Sequence, residues 1–89
     1  MGIRDQLRIM VVDDMATSRG LITQALDAMG IRQVGYASDG PSALAAIERS
    51  PVHLVISDYN MPGMDGLHLL HALRSAPKTK GVGFILITG

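Results

Sequence analysis

Four apolar runs are separated by stretches with helical spacing. The first, Leu7-Arg8-Ile9-Met10-Val11-Val12, ends abruptly at Asp13-Asp14. A short run that is apolar on successive positions predicts a central strand, buried on both faces. From about Ala16 to Met29 the period changes. Leu21, Ile22, Ala25, Leu26 and Met29 recur at three- and four-residue steps and are expected to share one helical face. Gly30 stands where a glycine ends a helix. Gln33 to Ala37 predicts a weaker strand near a sheet edge. Asp39-Gly40-Pro41 predicts a turn, with Pro41 at the first position of a helix whose apolar stripe is Ala43, Leu44, Ala46 and Ile47. That helix stops at Ser50-Pro51, and a second buried strand, Val52 to Ser57, runs into Asp58. Tyr59 to Gly66 is a loop rich in Met, Pro and Gly. Leu67, Leu70, Ala72 and Leu73 mark a third helix, and Val82 to Thr88 a last strand.

The order β-α-β-α-β-α-β with short connections predicts an α/β fold: a doubly wound parallel sheet with right-handed crossovers and helices on both faces. In such sheets the ligand crevice lies beyond the carboxyl ends of the strands, where the strand order reverses. For the expected order 2-1-3-4 that place is between the first and third strands. Both end in acids, so Asp13, Asp14 and Asp58 are expected to converge in one crevice.

Composition narrows the partners. The chain has 89 residues, enough for one domain with a thin core. Eight basic and eight acidic side chains give zero formal charge, which argues against a nucleic-acid footprint and against a polybasic membrane anchor. There is no cysteine, so disulfides and thiolate metal sites are excluded and a reducing, cytoplasmic setting is the expectation. No apolar run approaches the ~20 residues of a membrane span, and Met1 to Asp5 shows no signal-peptide core. Hydrophobic residues make up 47% but aromatics only 3%, so the core must be aliphatic.

Three close carboxylates repel one another unless a cation intervenes. An oxygen-only set without His or Cys favours a hard cation, and Mg2+ fits best: it takes one or two carboxylates, keeps waters and bridges to phosphoryl groups. A carboxylate beside such an ion can itself attack phosphorus. Thr88, at the carboxyl end of the last strand, is placed to donate a hydrogen bond to a phosphoryl oxygen, with Gly89 leaving room beside it. The N–H groups of the Tyr59-Asn60 turn are expected to add to an anion-binding nest.

Three segments together resemble one family: Val11-Val12-Asp13-Asp14 with Arg19 five residues beyond Asp14, Asp58 followed by Met61-Pro62-Gly63-Met64-Asp65-Gly66, and Ile85-Leu86-Ile87-Thr88-Gly89. The chain resembles a response-regulator receiver domain of two-component signalling, of the CheY-like, flavodoxin-like fold. The resemblance implies that Asp58 accepts a phosphoryl group from a phosphohistidine on a CheA-like sensor histidine kinase. It implies that Asp14 ligates Mg2+ directly, Asp13 mainly through water and Asn60 through its backbone carbonyl, with Thr88 as the switch hydroxyl. A flagellar motor switch protein is an implied output partner. The expected domain is residues 1–89, a receiver ending short of the family's last helix, fifth strand and final helix, and so without the family's Lys and aromatic switch residue on strand five. The fourth strand is then an outer edge, Phe84-Ile85-Leu86-Ile87, free of charge and expected to pair with another copy as a homo-oligomer.

Plainer readings stand beside these. Asp65 is read as the N-cap of the third helix rather than a site acid, and His68 and His71 as solvated. Met61 and Met64 are read as loop packing, and Arg19 as a solvated helix residue that pairs at most locally. The expected function is a phosphoacceptor switch and not a turnover enzyme. The alternatives are an assembly fragment that keeps the fold without switching, or an Asp-nucleophile, Mg-dependent phosphatase. The phosphatase reading wants a second Asp two residues after the first, where this chain has Asn60.

Overall fold

The computed structural model describes residues 6–61 and 63–88. Pro62 and Gly89, both part of the sequence motifs, lie outside the described residues. Seven elements follow one another: β1 (Arg8–Val12), α1 (Ala16–Ala28), β2 (Gln33–Ala37), α2 (Gly40–Arg49), β3 (Leu54–Asp58), α3 (Gly66–Ser75) and β4 (Gly83–Ile87). The strands form one parallel sheet, as the alternation of elements predicts, in the order β2-β1-β3-β4 that the resemblance to the CheY-like fold implies. Strand boundaries move by one or two residues from the sequence reading: β3 starts at Leu54 and takes in Asp58.

The aliphatic runs split by side-chain direction. Successive strand residues face opposite sides of a sheet. Met10 and Val12 of β1 and Val55 of β3 pack with Ala43 and Ile47 of α2 and Leu69 and Leu73 of α3 in the main core. Ile9 and Val11, with Ile56 of β3, face the other way against Leu26 and Ile31 in a smaller cluster. Among the described residues, α1 is the one helix on that second face.

That single cover explains where the helical pattern overreached. Leu26 is buried and Ile22 half-buried, but Leu21 and Met29 are 64% and 57% exposed. Among the described residues one helix lies over this face, and only the line of α1 that points straight down finds a partner there. Apolar residues to either side of that line stay in solvent. Ile85 and Ile87 of β4 lie on this same side of the sheet and are likewise exposed.

The helix ends follow local chemistry. Gly30 takes φ +83° after α1, a left-handed turn that glycine adopts at no steric cost. Asp39 caps α2 by accepting from the Ser42 N–H at 2.7 Å, and Asp65 caps α3 by accepting from the His68 N–H at 2.9 Å. These hydrogen bonds to the ionised form hold both carboxyls below their ordinary range. His68 also pairs with Asp65 at 2.9 Å, and both His68 and His71 are exposed. α1 differs: its N-cap position is Met15, with no side-chain cap. Thr79, buried past the end of α3, donates its hydroxyl to the Leu73 carbonyl at 2.6 Å.

Candidate functional site

Strand register brings the acids together. Val12 lies opposite Ser57 in the β1–β3 pairing, so the next residue on each chain, Asp13 and Asp58, sit side by side at the carboxyl ends. The two-residue period then puts both side chains on the α1 face, continuing the lines Ile9-Val11 and Leu54-Ile56. Asp14 follows in the loop to α1. One carboxylate oxygen from each of Asp13, Asp14 and Asp58 lies within 4.8 Å of the others. Asp13 is buried, Asp58 half-buried and Asp14 exposed. They open into a cavity of about 630 Å³ shared with Met15, Ser18, Leu21, Ile22, Asn60 and Ile87. This is the crevice the sequence predicts.

Two like charges about 4 Å apart near a protein surface repel by roughly 4 kcal/mol. Among the described residues no Lys or Arg forms an ion pair with these three acids. The donor set is all oxygen, compact and uncompensated, which fits a hard divalent cation and suits Mg2+. Asn60 lines the cavity and can offer a further oxygen. The receiver-domain Mg2+ site is an acidic pocket of this kind.

The surrounding loop is fixed by backbone contacts. The Tyr59 N–H donates to the Ile87 carbonyl at 3.0 Å and the Gly66 N–H to the Tyr59 carbonyl at 3.0 Å. Gly66 permits this closure: a Cβ there would stand 2.6 Å from the Asp58 carbonyl oxygen and 3.1 Å from the Tyr59 Cα. The Tyr59 N–H is therefore committed to β4 and not free for an anion, which leaves Asn60 as the turn's donor. Met61 is buried in the main core and Met64 packs against it, as loop packing requires.

Thr88 follows Ile87, the residue in register with Asp58. Its side chain is exposed and does not line the cavity. Arg19, expected to be solvated or to pair locally, does pair, with the backbone six residues before it. Arg19 is half-buried, and its guanidinium donates to the Asp13 carbonyl at 2.7 Å. The spacing of Arg19 to Asp14 was the available signal; its backbone target was not.

A parallel four-stranded sheet with an acidic crevice at its switch point defines a class, and comparison with known proteins agrees. The response regulator receiver domain family matches residues 9–89, and the chain belongs to that family. Among its similarities are several to proteins of the CheY type. It is 43% identical over 88 residues to a probable chemotaxis protein CheY of Rhizobium etli, covering 99% of this chain and 68% of the relative. It superimposes on the chemotaxis response regulator CheY4 of Vibrio cholerae with a TM-score of 0.83 at 29% identity, covering 90% and 66% of the two chains. On the BeF3-activated NMR structure of the response regulator CheY2-Mg2+ of Sinorhizobium meliloti the TM-score is 0.79 at 44% identity, covering 100% and 69%. The chain thus spans about two thirds of the length of these relatives. No helix among the described residues is long and apolar enough to cross a membrane.

Proposed function

We propose that the chain is the phosphoacceptor switch of a two-component phosphorelay of the chemotaxis kind. The observation that carries this reading is the meeting of Asp13, Asp14 and Asp58 within 4.8 Å at the strand ends. A carboxylate oxygen of Asp58 attacks the phosphorus of a phosphohistidine on a CheA-like sensor histidine kinase. The P–N bond breaks, the imidazole leaves with its electron pair, and an aspartyl phosphate forms. Bound Mg2+ would neutralise charge on the transferring phosphoryl oxygens. Asp13, Asp14, Asp58 and the Asn60 backbone carbonyl are the groups to hold it. Asp58 is half-buried on the cavity wall, reachable by a donor yet backed by β3. Thr88 is assigned the switch hydroxyl, moving from its exposed position toward the phosphoryl group. The output partner proposed is a flagellar motor switch protein, and the setting cytoplasmic. Likeness to the CheY relatives supports these assignments. The chain catalyses its own phosphorylation and hydrolysis without turnover on other substrates.

Incubation with Mg2+ and acetyl phosphate tests this. Intact mass should show one labile phosphoryl adduct, absent in Asp58→Asn and absent when Mg2+ is chelated. Continued phosphate release from a phosphate ester would mark a phosphatase instead, and no adduct at all would leave the fold-retaining fragment.

Self-association as a homo-oligomer is proposed through the outer edge of β4. Its support is the strand's position at the edge of the sheet formed by the described residues and the exposure of Ile85 and Ile87. Sedimentation is expected to shift from monomer to dimer with concentration, and Ile85→Lys to keep the monomer. A parent that stays monomeric throughout would refute it.

A further inference from the structure

Asp13 is held from three directions. Its N–H donates to the Ala37 carbonyl at 3.1 Å, extending the β1–β2 ladder by one residue. Its carboxylate Oδ1 accepts from the Met15 N–H at 2.9 Å. The third contact comes from α1, where Arg19 Nη1 donates to the Asp13 carbonyl at 2.7 Å. Arg19 is itself anchored at both ends of its backbone. Its N–H donates to the Met15 carbonyl at 3.0 Å, and the Thr23 hydroxyl donates to its carbonyl at 2.7 Å. The side chain also lines a second groove of about 640 Å³, between α1 and β2, together with Thr23, Asp27, Arg32 and Tyr36.

We propose that Arg19 is a positioning residue for the divalent-cation site, clamping the Asp13 peptide so that the Asp13 and Asp14 carboxylates are presented toward Asp58. This rests on the reading of the crevice as a Mg2+ pocket. α1 has no side-chain cap at Met15, and the Arg19 guanidinium adds a charged tie between its first turn and the acidic loop beside the Met15 N–H bond to Asp13. A hydrogen bond from a charged donor is stronger than a neutral one. It also occupies the Asp13 carbonyl, leaving the carboxylates as the groups that face an ion. Without the tie, the ion has to order the loop as it binds, and that ordering weakens affinity.

The sign of the effect separates positioning from charge. By Coulomb's law a positive group near a cation site repels the cation, so removing it should tighten binding. Loss of the clamp predicts the reverse. Mg2+ titration by calorimetry is expected to give Arg19→Gln about tenfold weaker affinity than the parent, the low end of what removing a ligand-orienting partner does. Arg19→Lys, which keeps a cationic donor, should recover most of that loss. Arg32→Gln, which removes a charge from the same groove without touching Asp13, should bind as tightly as the parent or tighter.

Unchanged or tighter binding by Arg19→Gln, in a parent that binds Mg2+, overturns the inference and leaves the Mg2+ site standing. An Arg19→Gln chain that fails to fold even at saturating Mg2+ also overturns it, since Arg19 is then a structural residue. In that case Arg19→Lys, folded and bound like the parent, would show only that the charge is needed for folding. A parent with no affinity for Mg2+ overturns the site reading itself, and this inference with it.

Discussion

Leu69→Ala is expected to remove about 3 kcal/mol of folding stability, within the range for emptying a buried leucine site. Leu69 is fully buried on the inner face of α3, in the main core with Met10, Val12, Val55 and Ile47. Its neighbours come from two strands, β1 and β3, and from helix α2, separate elements that cannot collapse together to refill the space. A chain of 89 residues has a total stability of only roughly 4–13 kcal/mol at the usual per-residue figure, so this one truncation takes a large share. Urea unfolding should show a lower midpoint with an unchanged slope. Leu21→Ala is the matched control. Leu21 belongs to the apolar pattern of α1 but is 64% exposed, so its loss should stay within about 0.5 kcal/mol. Equal losses at the two leucines would contradict the one-helix cover of the second sheet face.

The second large effect is expected at Gly66. Its backbone needs no left-handed conformation, because the positive-φ glycines among the described residues are Gly30 and Gly63. What it needs is space. A methyl group there would press on the Asp58 carbonyl oxygen at 2.6 Å, on the Tyr59 Cα at 3.1 Å and on Leu86. Two of those neighbours are backbone, at the end of β3 and the start of the loop that follows it, beside the acidic cluster. They cannot rotate away as a side chain would. Gly66→Ala should therefore cost about 3 kcal/mol, the upper part of the overpacking range, or roughly 12–24 °C in Tm for a domain of this size. It should also weaken Mg2+ binding, because the displaced atoms carry Asp58. Gly20→Ala makes the contrast. Gly20 sits inside α1 with nothing within 4 Å of the added carbon, so alanine there should stabilise by about 0.5–1 kcal/mol. Thermal melts of the two variants, with and without Mg2+, measure both expectations.

The parts of this fold that depend on neighbours in sequence were legible. Strands buried on both faces must be apolar at successive positions, and Ile9 to Val12 and Val55 to Ile56 show it. Asp39 and Asp65 act on amides three residues away, within reach of a local pattern. The convergence of Asp13 and Asp58 needed one further step, from alternating elements to a parallel sheet, and then followed from strand ends alone. What escaped depends on contacts that residue types alone do not mark. The periodicity of α1 marks five apolar positions on one face but cannot say how wide a surface will cover them, so Leu21 and Met29 looked like core. Arg19 looked solvated because its partner is a main-chain carbonyl, and a carbonyl has no letter in the sequence. The Tyr59 N–H, expected to serve an anion, instead meets the Ile87 carbonyl, whose place on β4 no local pattern shows. Gly66 stood in a recognised motif, yet its reason, the closeness of Asp58 and Tyr59, is visible only in three dimensions.

The thin layer formed by α1 has a consequence for motion. Proteins open in cooperative pieces, and those holding the least buried apolar surface open first. α1 lies over the smaller cluster and starts without a side-chain cap, so partial unfolding of this molecule should begin there. The same piece carries Met15 and Arg19, which hold Asp13. An ion gripped by the acids would then act as a latch on the least stable part of the chain. Filling the crevice would slow amide exchange along α1 while leaving the far sheet face almost unaltered.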